Sequence, residues 1–316
     1  MPSETRTITF WRKPISVPRI IAALLLLLAA PAGAEYAPYF MVGSDPSPLT
    51  NSGLRAVTLA FLGTDGHCSV KWRGLKQQGQ VAPLVQSLQQ AGIKVILSFG
   101  GWLGADPAGH CATAEALQAV YQQMLDRYHV NSLDFDIEGP VVMDLKAHAR
   151  RNQALIALKH ANPDIEISFT LPVRPHGIPK GNGIEVLQSA RDAGFTPDVV
   201  NLMTMDYFFD PAPSTMARHS FRAIDNAAGQ LKELGLNSKL GVTPMIGQND
   251  NRSEIFTLDD AKKLAAWLKT RPQVTRVAMW SVERDNGGCP GDATAQDKCS
   301  GVAQAPGAFS RIFVAP

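Results

Sequence analysis

The segment Asn131-Ser132-Leu133-Asp134-Phe135-Asp136-Ile137-Glu138-Gly139 carries three carboxylates at a spacing of two, with an apolar residue in each gap. Side chains alternate faces along a strand, so Asp134, Asp136 and Glu138 share one face while Leu133, Phe135 and Ile137 share the other. At a rise of ~3.3 Å per residue, neighbouring carboxylates start about 7 Å apart. Like charges this close repel, and burial makes each harder to ionise. A sequence selected only for stability avoids such a ladder. A solvated edge strand with one charged face would tolerate it, but the apolar flanks fit a core strand of an α/β protein better. The ladder then supplies a proton donor, Glu138, with two carboxylates behind it to tune its pKa.

The elements that must hold this strand alternate along the chain. Apolar runs predict strands at Tyr39 to Gly43, Ala56 to Leu62, Lys94 to Phe99, the acidic segment, Ile165 to Val173, Asp198 to Met205, Lys239 to Ile246 and Val274 to Val282. Helical spacing falls between them, at Val81 to Ala91, Thr113 to His129, Asp144 to Ala161, Ile184 to Ala193, Thr215 to Leu234 and Leu258 to Thr270. Eight strands with intervening helices fit a single (β/α)8 barrel, the TIM barrel. A doubly wound sheet is the alternative; it uses fewer strands and a phosphate-binding glycine fingerprint, which is missing from the sequence. In such a barrel the C-terminal strand ends carry the chemistry. Those ends hold Ser98-Phe99-Gly100-Gly101-Trp102, the ladder, Met203-Thr204-Met205-Asp206-Tyr207, and Trp280-Ser281-Val282-Glu283-Arg284-Asp285.

Residues 1–34 read as a signal peptide. Arg6, Arg12, Lys13 and Arg19 precede an apolar run from Ile20 to Ala30, and Ala32-Gly33-Ala34 matches a cleavage site. The run is short for a membrane span, so an uncleaved anchor is the weaker reading. Cleavage would bring the net charge of +2 close to neutral, and no basic run points to nucleic acid. The catalytic domain is then 35–316, exported to the periplasm or medium with no membrane attachment after cleavage. Four cysteines remain, which in an exported chain suggests two disulfides. Pairing Cys68 with Cys111 and Cys289 with Cys299 is favoured over crossed pairs, and over a zinc site, whose C-x2-C spacing is missing.

The strand ends resemble glycoside hydrolase family 18, the chitinases. The family pattern D-G-x-D-x-D-x-E is similar to the ladder segment, and S-x-G-G matches Ser98 to Gly101. A Met-x-(Tyr or Met)-Asp segment matches Met203 to Asp206, and a strand-eight Trp matches Trp280. The stretches Gly241 to Gly247 and Cys289 to Val302 look like one bacterial subgroup in particular. The resemblance implies Glu138 as general acid/base, Asp136 facing a substrate acetamide, and Asp134 backing Asp136, with the two aspartates sharing a proton. It implies Asp206, Tyr207, Met203, Trp280, Trp102, Gly100 and Gly101 as substrate-site residues. For several of these a plainer role stays open. Asp206 could be a helix N-cap. Trp280 could be core filling and Met203 barrel packing, Trp102 could be a loop anchor, and Gly100 and Gly101 could serve a tight turn. His110, His176 and His219 read as surface histidines.

Three positions depart from the family pattern: Asn131-Ser132 for Asp-Gly, Met205 for a Tyr that contacts the acetamide, and Glu283 for an Asn. The implied function is endo-acting hydrolysis of chitin or N-acetylglucosamine oligosaccharides by a monomer without cofactor or metal. An endo-β-N-acetylglucosaminidase acting on glycans or peptidoglycan, and a non-catalytic chitin-binding lectin, are the alternatives; an intact Glu138 weighs against the lectin. Only about ten residues separate strand seven from its helix, too few for the small α+β insertion many relatives carry there, so an open cleft is expected.

Overall fold

Barrel closure depends on a first strand in two pieces. In the computed structural model the described residues are 1, 3–4, 33–50, 53–102, 106–209 and 215–314, so the signal-peptide reading falls almost wholly outside them. Strand β1 runs as Glu35–Tyr36 and resumes as Tyr39–Met41. The strands that follow are β2 (Ala56–Gly63), β3 (Lys94–Gly100), β4 (Ser132–Asp136), β5 (Glu166–Pro172), β6 (Val199–Met203), β7 (Lys239–Thr243) and β8 (Val274–Val277). Each pairs in parallel with the next. The first piece of β1 pairs with β8 and the second with β2, which closes the TIM barrel. Between the pieces stand Ala37 and Pro38. Pro38 has no N–H to donate, and its carbonyl accepts from Thr58.

The helices are α1 (Val81–Gln90), α2 (Ala114–Tyr128), α3 (Leu145–Ala161), α4 (Ile184–Asp192), α5 (Met216–Leu234), α6 (Leu258–Leu268) and α7 (Ala308–Val314). Local signals set their starts: Thr113 accepts from the Ala116 amide, Asp144 from Ala147, and Thr257 forms a capping box with Asp260. The predicted strands stand, but six end short of their expected limits, β1 at Met41 and β5 at Pro172 among them. β4 stops at Asp136, β6 at Met203, β7 at Thr243 and β8 at Val277. Beyond those points the chain leaves the sheet to form the rim. β1 begins earlier than expected, at Glu35, because Pro38 hides its first half in the sequence pattern.

The large apolar core lies between sheet and helices. Leu133, Phe135 and Ile137 belong to it. Phe135 stacks on Phe99 at 5.2 Å and meets Tyr121 and Phe169 edge-on, which locks the outer face of β4. The opposite face of the strands is different. Thr58, Ser98, Asp134, Ser168, Thr170, Asn201, Thr243 and Arg276 are all buried there, with only small apolar clusters among them. The barrel interior is thus largely polar.

Cys68 pairs with Cys111 and Cys289 with Cys299, as expected. The first bond spans 43 residues and ties the loop after β2 to the loop after β3; the second spans 10. Loop-closure entropy then ranks them. Replacing Cys68 and Cys111 by Ala should lower the unfolding free energy by about 4 kcal/mol, and replacing Cys289 and Cys299 by about 3 kcal/mol. Urea unfolding of the two double variants measures this; equal midpoints, or the reverse order, would contradict it.

Candidate active site

The ladder lies at the C-terminal mouth of the barrel, under a cavity of about 860 Å³. Asp136 and Glu138 line it, with Tyr39, Phe61, Trp102, Thr170, Arg174, Met203, Met205, Asp206, Phe208, Asp250, Trp280 and Arg284 among their neighbours. That volume suits a ligand-binding cleft.

Each carboxylate has its own environment. Asp134 is fully enclosed and receives four hydroxyl groups. Tyr39 and Ser98 donate to Oδ2 at 2.9 and 2.7 Å, and Ser168 and Thr170 to Oδ1 at 2.6 and 2.8 Å. These donors occupy both oxygens, so the expectation that Asp134 shares a proton directly with Asp136 gives way to hydroxyl bonding. Asp136 is buried, and its Oδ1 has no hydrogen-bond partner among the described residues. Burial first, then the charges of Glu138 and Asp134, raise its pKa well above the ordinary value. Glu138 is half-buried, past the end of β4 in extended backbone. Burial raises its pKa to about 7, helped by the charges of Asp206 and Asp250 and opposed by a hydrogen bond from the Trp102 backbone.

Glycine is required where β3 meets β4. Gly100 has φ +98°, and a Cβ there would lie 2.2 Å from the Asp136 carbonyl oxygen. The Gly101 amide donates to that same oxygen at 3.0 Å. The two glycines therefore pack the rim instead of lining the cleft, and they aim Ser98 at Asp134 and the chain of Trp102 at Glu138. Trp102 stands 69% exposed at the cleft edge. Trp280 forms a cleft wall, stacked on Phe61 at 5.7 Å and tilted against Tyr39. Met203 and Met205 both reach the cavity.

Asp206 faces the cleft at φ +46° and is not a helix cap; α5 starts ten residues later, behind Thr215. Its pKa is raised to about 6, chiefly by burial. The Asn251 amide donates to its Oδ1 at 3.1 Å, and Arg174 donates to the carbonyls of Asp206 and Tyr207. Glu254, fully buried, accepts the Tyr207 amide at 2.8 Å and the Phe209 amide at 3.3 Å. These bonds hold the loop after β6 in its left-handed turn.

Tyr207 is corrected as a substrate residue. It is 3% exposed, belongs to the apolar core and does not line the cavity. The left-handed turn at Asp206 sends it inward and brings exposed Phe208 to the cleft. Glu283 also points away, accepting the Met41 amide at 2.6 Å. His110 and His176 are exposed, whereas His219 is only partly exposed, on α5, with its ring packed against Phe209 at 4.7 Å. The sequence reading missed Tyr39, Phe61, Arg174, Phe208 and Asp250. Tyr39 and Phe61 sit in predicted strands, where a large ring on the inner face was the available signal; the others come from loops.

The model of glycosyl hydrolases family 18 matches residues 35–240. The chain is 33% identical over 309 residues to the "probable bifunctional chitinase/lysozyme" of Escherichia coli K12, covering 88% of this chain and 34% of that protein. It is 32% identical over 276 residues to endochitinase 11 of Metarhizium anisopliae, covering 79% of this chain and 52% of that one. The chain thus spans about a third of one relative and half of the other. Active domain 2 of a Pyrococcus furiosus chitinase superposes with a TM-score of 0.78 at 29% identity, covering 89% of this chain and 94% of that domain. Mutants of that domain have also been solved with chito-oligosaccharides.

The Glu138 environment carries a stability signature. Its carboxyl holds a proton to about pH 7 when folded, against an ordinary value of 4.5. Its contribution to stability is intact below about pH 4.5 and is lost as pH rises through about 7. Glu138→Gln should therefore stabilise the fold at pH 8 by on the order of 2 kcal/mol and leave it unchanged at pH 4. Denaturant unfolding at both pH values tests this, and an equal effect at both would refute it. Asp250→Asn should lower the Glu138 titration midpoint, read by carboxyl NMR.

Proposed function

The chain belongs to glycosyl hydrolases family 18, and on that premise we propose that it cleaves chitin, β-1,4-linked N-acetylglucosamine, within the polymer chain. The reaction is retaining and uses the substrate's own acetamide as nucleophile. One observation carries this reading: Asp136 lines the cleft with a buried carboxyl oxygen that has no hydrogen-bond partner among the described residues. A buried acceptor without a donor is costly. An acetamide N–H supplies that donor, and the contact turns the acetamide oxygen towards the anomeric carbon.

The steps follow from the three environments. Glu138, protonated up to about pH 7, gives its proton to the leaving glycosidic oxygen. The acetamide oxygen displaces that oxygen and forms an oxazolinium ring. Asp136 accepts the ring N–H and stabilises the positive charge. Asp134, held by its four hydroxyls, keeps Asp136 in place. Water then opens the ring with Glu138 as base. The usual retaining pair of carboxyls about 5 Å apart across the scissile bond is not needed, since substrate-assisted members of this family are exceptions to it. Trp280 supplies an apolar plane for the C–H face of the sugar, with Trp102 and Phe208 at the rim.

The link from β7 to α6 is a small hairpin of Gly247–Gln248 and Ile255–Phe256. It builds no extra wall, which supports open-cleft, endo-type action with little processivity. Asp206, Asp250 and Asp297 outnumber Arg174 and Arg284 along the cleft. That charge suits a neutral polymer better than an anionic peptidoglycan strand. The same reading has residues 1–34 directing export and the enzyme working as a monomer.

Glu138→Gln should reduce kcat at least ~10²-fold while sugar binding persists. NMR of fresh products from an N-acetylglucosamine hexamer should show the β anomer first, and a glucosamine unit at the cleavage subsite should block hydrolysis. An initial α anomer, or efficient cleavage after glucosamine, would end the mechanism. Predominant dimer release from crystalline chitin would end the endo mode alone.

A further inference from the structure

We propose that Arg276, on β8, is a positioning residue that fixes the Ser168 hydroxyl so that its proton points at Asp134. The inference rests on the catalytic reading of the ladder given above. Arg276 is 3% exposed, inside the barrel. Its Nη1 donates to Ser168 Oγ at 2.9 Å, and Ser168 Oγ donates to Asp134 Oδ1 at 2.6 Å. A guanidinium has donors only, so Ser168 must accept from it. A hydroxyl has one proton, and with Arg276 on its lone pair that proton is left for Asp134. The direction of the Ser168–Asp134 bond is thereby set by a cation on the far side of the barrel.

The guanidinium is itself held. Nη2 pairs with Glu166, which also accepts from Ser132 at 3.0 Å and pairs with Lys94 at 3.3 Å. Lys94 reaches Glu35 at 3.2 Å. Glu166 is thus the residue that holds the guanidinium, and Lys94 lies one contact further out, at the base of the barrel. Stability alone does not account for it. An ion pair at the barrel base needs no bond to Ser168. Burying an arginine costs free energy, and Arg276 Nε stays buried without a partner. The arrangement is explained if the guanidinium's task is to orient Ser168.

The test compares steady-state kinetics and stability of Ser168→Ala, Arg276→Met, the double variant, Lys94→Met and Asp136→Asn. Ser168→Ala and Arg276→Met should each lower kcat about tenfold, the worth of one charge-assisted hydrogen bond, with KM nearly unchanged. The double variant should fall no further than Ser168→Ala, because both changes remove one linkage. Lys94→Met should lower stability with kcat intact. Wild-type kcat in Ser168→Ala, multiplying losses in the double variant, or a matching kcat loss in Lys94→Met would each overturn the proposal. If Arg276→Met does not fold, Ser168→Ala decides, since it leaves the Arg276–Glu166 pair in place. Asp136→Asn separates the two levels: retained activity there sinks the reading of the ladder, whereas an inactive Asp136→Asn beside a fully active Ser168→Ala sinks only the role of Arg276.

Discussion

A carboxylate carried into the middle of a barrel is tolerated in one of two ways, by surrounding donors or by a retained proton. This chain uses both within five residues. Asp134 receives four hydroxyls, Asp136 is left without a partner on Oδ1, and Glu138 meets one backbone amide. The graded supply of donors makes three identical chemical groups behave differently. It also explains the polar barrel interior. Ser98, Ser168, Thr170 and Asn201 stand on neighbouring strands at inward positions where leucine or valine would fill space but leave a charge bare.

The outer face of the same strands has the opposite task. Phe99, Phe135 and Phe169 pack in a row of rings that fixes the height and twist of β3, β4 and β5. Hydrogen bonds of 2.6–2.9 Å around Asp134 tolerate little slippage between strands. Apolar packing outside therefore sets the precision of the polar contacts inside. Gly100 belongs to this constraint, since any side chain would push the Asp136 carbonyl away.

Much of this was legible in the sequence. Apolar runs and capping residues located the eight strands and six of the helices, though several strand ends fell two to five residues short of the apolar runs, and the spacing of Asp134, Asp136 and Glu138 located the site. The failures have a common cause. Tyr207 is expected at the cleft only if extended backbone continues past β6, but a left-handed turn at Asp206 keeps Asp206 at the cleft and turns Tyr207 inward. Asp250, Arg174 and Phe208 reach the site from separate loops, and periodicity carries no information about loops converging. Arg276 was different. A lone cation inside Val274-Thr275-Arg276-Val277 was a visible anomaly, and its meaning depended on knowing that β5 places Ser168 within its reach.

The split first strand has a consequence for the order of events during synthesis. Among the described residues, Glu35–Tyr36 pairs with Arg276 and Val277. The edge of β1 that faces β8 must wait unpaired until β8 itself has been made. Contacts so distant in sequence slow folding. Closure is therefore a late event, and the arrival of β8 completes the cylinder.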